Sequence, residues 1–179
     1  MVCLGGPIYP RSFIEACPLV LNYHSGYSPV YNGSSAIWFA FANGHPQLCG
    51  GTLMVMNTVI DGGNILAHYL PAISPTDDPF SLFYKTTVAS AILYDRFLSY
   101  LQRLGPSFAK APQCDPLFYC RSRDWTILHA MRVRRNVRQQ ICSRFIRDES
   151  FVEYWREPSD AAAVAAVQRT TTRLMWGQG

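Results

Sequence analysis

The sequence predicts an all-α protein: an antiparallel three-helix bundle in the C-terminal half, with an irregular, uncharged N-terminal arm. Three observations carry that prediction. From Ser74 onward, apolar residues recur at helical spacing between recognisable start and stop signals. From residue 16 to residue 60 there is no Asp, Glu, Lys or Arg. The charge is also unevenly spread: residues 1–120 hold five bases and six acids, whereas residues 121–150 hold eight arginines and three acids. On this reading residues 1–78 are an apolar docking arm and residues 79–179 a three-helix domain.

Nearly half the residues are apolar, which excludes a wholly disordered chain, and six cysteines in 179 residues are too few for a disulfide scaffold. An uncharged run of this length implies burial, against itself, a partner or lipid. Its most apolar window, 36–60, is broken by Asn43-Gly44-His45-Pro46-Gln47, which reads as a turn and leaves two halves too short to span a bilayer. Gly5-Gly6-Pro7, Ser28-Pro29, Asn32-Gly33, Gly50-Gly51 and Gly62-Gly63 punctuate the arm, so short strands or helices are the most it is expected to form. Residues 1–14 carry one arginine and no apolar run of signal-peptide length.

Asp78-Pro79 pairs an N-cap with a proline at the first helical position, and Gly105-Pro106 is a stop. Between them Phe80, Tyr84, Val88, Ala91, Leu98, Leu101 and Leu104 recur at helical spacing, widened by Ala89, Ile92, Leu93 and Phe97. Asp124 is read as the cap of a second helix from Trp125 to about Trp155, with Ala130, Val133, Val137, Ile141, Phe145 and Val152 facing inward. Ser159 caps a third, closed by Gly177, whose packing face is Ala161, Val164, Val167, Thr171 and Leu174. Arg134, Arg135 and Arg138 crowd the second helix at spacings where like charges repel by a few tenths of a kcal/mol, which points to an acidic or phosphorylated partner.

Motifs for catalysis are weak. Leu48-Cys49-Gly50-Gly51-Thr52-Leu53 is similar to a stretch of trypsin-like proteases, but their histidine and serine motifs are missing. Carried on through Asn57-Thr58 to Asp77-Asp78, it is faintly similar to viral RNA polymerases, but the chain is too short and no Asp precedes Asp61. His24, His45, His68 and His129 are scattered and no Cys-x-x-Cys occurs, so no metal site is assigned. No phosphate loop or nucleophile–base grouping stands out, and the chain reads as a non-enzyme with no catalytic residues.

Leu93-Tyr94-Asp95-Arg96 within a long first helix resembles the Leu-Tyr-Arg signature of the mitochondrial LYR-motif family. Arg134, Val137-Arg138 and Phe145 stand where that pattern has its basic second helix and Phe, and Ser159-Asp160-Ala161 is similar to the opening of its third. The resemblance covers about residues 80–176, with Asp95 inserted before the arginine. It implies a non-catalytic accessory subunit of a large mitochondrial assembly, respiratory complex I first, on the matrix side of the inner membrane. It further implies no cofactor of its own, but an acyl-phosphopantetheine carried by an acyl carrier protein. Tyr94, Arg96, Arg134 and Arg138 would be the partner contacts by position, and Arg135 by charge, with the arm docking on neighbouring subunits. The alternatives are a ribonucleoprotein or viral subunit whose Arg-rich helix 125–155 meets nucleic acid, and a membrane-embedded subunit with 36–60 in lipid.

Overall fold

The computed structural model describes residues 1–4 and 9–177; the Gly5-Gly6-Pro7 punctuation lies outside the described residues. Its centre is a mixed sheet, not a helical bundle. Strands β1 (Val2–Leu4), β2 (Leu21–His24), β4 (Gly51–Val55), β5 (Asn64–Leu70) and β7 (Ser150–Glu153) lie in the order β1-β2-β4-β5-β7. The β1–β2 pair is parallel and the other pairs are antiparallel, with a register shift between Leu53 and Met54. A short helix, α1 (Arg11–Glu15), lies between β1 and β2. Two further strands, β3 (Tyr31–Gly33) and β6 (Phe118–Cys120), form a separate parallel pair. The all-α prediction is therefore wrong, and so is the irregular N-terminal arm.

The physical reason lies in burial. A strand covered on both faces is a near-continuous apolar run without the alternation that betrays a half-exposed strand. Gly51, Thr52, Leu53 and Met54 of β4 are all buried, as are Ile65 to Leu70 of β5. Most of the charge-free run is thus buried against its own neighbours, with 57–60 exposed. Window 36–60 is divided among α2 (Ala36–Ala42), a 3₁₀ turn at Pro46–Leu48 and β4, and among the described residues no helix is long and apolar enough to cross a membrane.

Helix α3 (Pro79–Leu104) has the start and stop its sequence announces. Asp78 Oδ1 accepts from the Ser81 N–H at 2.8 Å, and Ser81 Oγ accepts from the Asp78 N–H at 3.0 Å, a reciprocal cap. The buried face is Leu82, Thr86, Ala89, Leu93 and Phe97; of these Ala89, Leu93 and Phe97 are set on Leu21, Tyr23, Leu53 and Ala67 of the sheet, and Leu82 packs with Ile37 and Leu70. Phe80 and Tyr84, the first two of the residues at helical spacing, are 70% and 71% exposed. Each leucine buried there contributes about 1.5–3 kcal/mol, and the Tyr23 hydroxyl fixes the helix by donating to Thr86 O at 2.8 Å.

The expected helix 125–155 is instead α4 (Ile127–Arg138), a left-handed Gln140 at φ 47°, a 3₁₀ turn at Ile141–Arg144, and then β7. Tertiary bonds override the helical pattern here. Arg147 donates to three backbone carbonyls, Pro71 O (Nε, 2.9 Å), Gln47 O (2.8 Å) and Cys49 O (3.3 Å), drawing the chain back to the sheet. Asp124 caps nothing and pairs with Arg121 at 2.7 Å. Helix α4 rests on α2 through Val133 and through Asn136, whose amide donates to Phe41 O at 2.8 Å.

Helix α5 (Asp160–Trp176) starts where expected, Ser159 Oγ accepting from the Ala162 N–H at 3.2 Å. It buries Ala163, Ala166 and Val167 against Ile65, Ala111 and Tyr154. Between Ala67 and Tyr69, which face α3, His68 points to the other face of β5. There it meets the Tyr154 hydroxyl at Nδ1 (2.8 Å) and Ser28 O at Nε2 (2.8 Å), and stacks on Tyr27.

Candidate active site

Strand alternation puts Asn22 and His24 of β2 on one side while Leu21 and Tyr23 enter the core. The turn joining β4 to β5 brings Asp61 to the same place. His24 Nε2 lies 3.0 Å from Tyr31 O, and His24 Nδ1 lies 3.4 Å from Asp61 Oδ2. A carbonyl oxygen can only accept, so Nε2 carries a proton and Nδ1 faces the carboxylate. Both side chains are largely sheltered, at 7% and 13% exposure.

Local backbone geometry holds this pair. Asp61 is left-handed at φ 50°, a conformation that costs about 1 kcal/mol outside glycine and that Asp tolerates better than most residues. Its Oδ2 accepts from the Gly33 N–H at 2.9 Å, and its backbone oxygen accepts from the amides of Asn32 (3.0 Å) and Gln113 (2.9 Å). Gly33 is at φ 95° with Cys120 O where a Cβ would stand, so no other residue fits. At Gly26 a Cβ would lie 2.2 Å from His24 Nε2; the missing side chain leaves room for the imidazole.

Asn22, His24 and Asp61 line a cleft of about 430 Å³. Its apolar wall is Met54, Met56, Val59, Ile60 and Phe83; Ser34, Ser35, Asn57 and Thr58 add hydrogen-bonding groups. A carboxamide, an imidazole and a carboxylate lining one largely apolar cleft suit acid–base-assisted transfer of an acyl group. Such an amide can donate to a developing oxyanion, and a proton taken up at Nδ1 would lie between imidazole and carboxylate. Among the described residues no group of His, Cys, Asp and Glu is placed to hold a metal ion.

The residues singled out as partner contacts lie elsewhere and do not converge. Tyr94 is buried beside Tyr23, ring centroids 6.4 Å apart. Arg96 pairs with Glu153 at 3.1 Å and covers the Phe151 ring. Arg134, Arg135 and Arg138 are exposed on α4. Sequence reasoning missed Asn22, His24 and Asp61. The signal was there: Asn22-x-His24 places two polar groups on one strand face within the uncharged run, and Asp61 is the single acid between Glu15 and Asp77.

The cleft lies beside a mixed sheet, with Asn22, His24 and Asp61 in its lining. The chain belongs to the formyl transferase family, whose profile matches residues 3–97, more than half of its length. It is 30% identical over 106 residues to the methionyl-tRNA formyltransferase of a Nitratiruptor species, covering 59% of this chain and 34% of that one. The chain spans about a third of the curated relatives it matches. Its fold is shared with a 4-N formyltransferase from Francisella tularensis (TM-score 0.60, 19% identity, 73% of this chain and 57% of that). It is also shared with an N-formyltransferase from Helicobacter canadensis solved with folinic acid and dTDP-3-aminofucose (TM-score 0.52, 21% identity, 60% and 39%).

These findings overturn the LYR-motif resemblance and what it implied. A formyl transferase family member is not a non-catalytic complex I subunit, and its relatives are formyltransferases, not clients of an acyl carrier protein. The partner-borne acyl-phosphopantetheine gives way as well, since a protein sharing the fold was solved with a folate. Mitochondrial placement rested on the same resemblance and falls with it; the matched relatives are bacterial. The Leu-Tyr-Asp-Arg string misled because Leu93 and Tyr94 are core residues of α3, and Arg96 serves the sheet edge.

Proposed function

We propose that this chain carries the transfer site of a folate-dependent N-formyltransferase, moving a formyl group onto the amine of an acceptor. The observation that carries the reading is the His24–Asp61 pair, with Asn22 on the same strand face, in the lining of a largely apolar cleft. The cleft suits a folate: the thioethers of Met54 and Met56 and the Phe83 ring offer a polarisable wall for a flat heterocycle, and Asn57 and Thr58 give its edge polar partners. A formylated tetrahydrofolate, when bound, supplies the formyl group.

The acceptor nitrogen forms its bond to the formyl carbon as the carbonyl oxygen gains charge. The Asn22 amide donates a hydrogen bond to that oxygen and lowers the barrier in proportion to the charge that develops. The His24–Asp61 pair takes the proton the attacking nitrogen loses, and returns one to the leaving nitrogen as its bond to the formyl carbon breaks. The sheltered pair and the apolar wall keep water from competing for the formyl carbon.

For the acceptor, RNA is favoured by α4. Arg134, Arg135 and Arg138 stand exposed with no acid on the helix, and the approach to it touches the cleft rim, where Ser122 Oγ meets Ser34 Oγ at 2.9 Å. Arginines in such a row suit a phosphate backbone. The test supplies the full chain with a formyl-labelled tetrahydrofolate and, in separate arms, methionyl-tRNA and a nucleotide-linked amino sugar. Label on the methionyl amine supports the full reading, and label on the sugar amine keeps the chemistry but overturns the RNA acceptor. Donor binding without transfer in either arm contradicts the proposal.

A further inference from the structure

Gln113 lies in the connector after α3, outside the residues matched to the formyl transferase family. Just before it, Ala111 and Ile65 exchange both backbone hydrogen bonds (2.8 and 2.9 Å), so the connector runs as a short extra strand beside the start of β5. That pairing delivers the Gln113 side chain to the inner side of the Asp61 turn. Its Nε2 donates to Asp61 O at 2.9 Å and to Gly63 O, and its Oε1 accepts from the Asn32 amide at 3.3 Å. Asn32 in turn donates to Asp61 O at 3.0 Å, and its neighbour Gly33 gives the N–H held by the Asp61 carboxylate.

One carboxamide therefore ties three parts together: the left-handed turn carrying Asp61, the start of β5, and the β3 strand that places Gly33 and the Tyr31 carbonyl against the carboxylate and imidazole. Without it, Asp61 O and Gly63 O lose a shared donor on a turn whose backbone is already unfavourable at Asp61. The Asn32 amide also donates to Asp61 O, and it shares its hydrogens with Gln113 Oε1, so the two carboxamides are linked at this turn.

We propose that Gln113 is a positioning residue for the transfer site, setting the Asp61 carboxylate relative to His24 and Gly33 from a segment outside the matched family region. It touches neither His24 nor the Asp61 carboxylate and acts through the turn. For its catalytic consequence the inference rests on the formyl-transfer reading; for its structural consequence it does not. A displacement of Asp61 by about 1 Å is enough to lower kcat by up to about 100-fold while donor binding persists.

The test uses Gln113→Met, which keeps the length of the side chain and removes its donors, in the full chain. The local readout is amide hydrogen exchange at Gly33, whose N–H reports the carboxylate directly. Exchange at Gly33 is expected to rise about tenfold or more, while amides of Leu53 and Ala67 in the sheet change less than about twofold. In the transfer assay kcat falls about 10- to 100-fold with KM for the donor within about twofold. Gln113→Asn, one methylene shorter with the same amide, gives the same local signature should the Met variant not fold. An unchanged Gly33 amide, or a uniform loss of protection through the sheet, overturns the inference. A wild-type chain that transfers no formyl group defeats the functional reading and leaves the Gly33 result to decide this one.

Discussion

His24 and Asp61 face each other across the end of β2, Nδ1 3.4 Å from Oδ2, with the far nitrogen of the ring held at 3.0 Å by Tyr31 O. The imidazole thus has its protonated nitrogen fixed by the backbone and its other nitrogen aimed at a carboxylate. In the proposed transfer, Asn22 beside this pair is the oxyanion donor. Asn22→Ala is expected to lower kcat about 100- to 1,000-fold with donor affinity preserved, measured by steady-state kinetics and donor titration. An equal loss of donor affinity would instead place Asn22 in binding.

Gly26 and Gly33 both stand where a side chain has no room. Gly33→Ala puts a Cβ 2.0 Å from Cys120 O at a φ of 95°, against rigid backbone, and is expected to destabilise the protein by about 2 kcal/mol or more, read as a lowered denaturation midpoint. Gly26→Ala meets the His24 ring at 2.2 Å, as well as Ala36 Cβ and Tyr31 O, each at 2.7 Å. It is expected to abolish transfer by displacing the imidazole, along with a measurable loss of stability.

His68 gives the stability a pH dependence. Burial lowers its pKa to about 3, against the opposing bond to Ser28 O, while in the unfolded chain it titrates near 6.5. Between those values the unfolded state binds the extra proton. The contribution is therefore fully present above about pH 6.5 and is lost as pH falls, by up to about 1.4 kcal/mol per pH unit from this group. Denaturation midpoints followed from about pH 7.5 to about pH 4.5 should fall, and His68→Gln, less stable at neutral pH, should flatten that slope.

Arg147 is held by three carbonyls, and burial lowers its pKa to about 10, still charged at neutral pH. Arg147→Lys replaces a planar fork by one ammonium that cannot meet all three. A loss of about 2–3 kcal/mol in chemical denaturation is expected, with β7 the first element to lose amide protection.

If α4 meets phosphates, replacing Arg134, Arg135 and Arg138 together by Ala lowers RNA affinity and reduces the slope of log K against log salt by about 2–3. Fluorescence anisotropy over a salt series reads both. A slope unchanged by the triple substitution excludes this face as the RNA contact.

The helices were legible where local rules dominate: Asp78-Pro79 and Gly105-Pro106 bound α3, and Ser159 opens α5. The sheet was not, because Leu53, Met54, Ile65 and Leu66 are buried without alternation, and a buried strand has no period to distinguish it from other apolar text. Residues 139–153 were read as helix because Ile141, Phe145 and Val152 keep helical spacing, while the bonds of Arg147 that bend the chain to the sheet are invisible in sequence. The site stayed hidden because Asn22, His24, Asp61 and Gln113 meet only through strand pairing and a left-handed turn.

The most direct test of the account is the rate of formyl transfer by the full chain compared with His24→Ala and Asp61→Asn, both checked for retained folding and donor binding. The account predicts transfer by the wild type and a loss of about 100-fold or more in kcat for each variant. Folded variants that transfer the formyl group at the wild-type rate would contradict it.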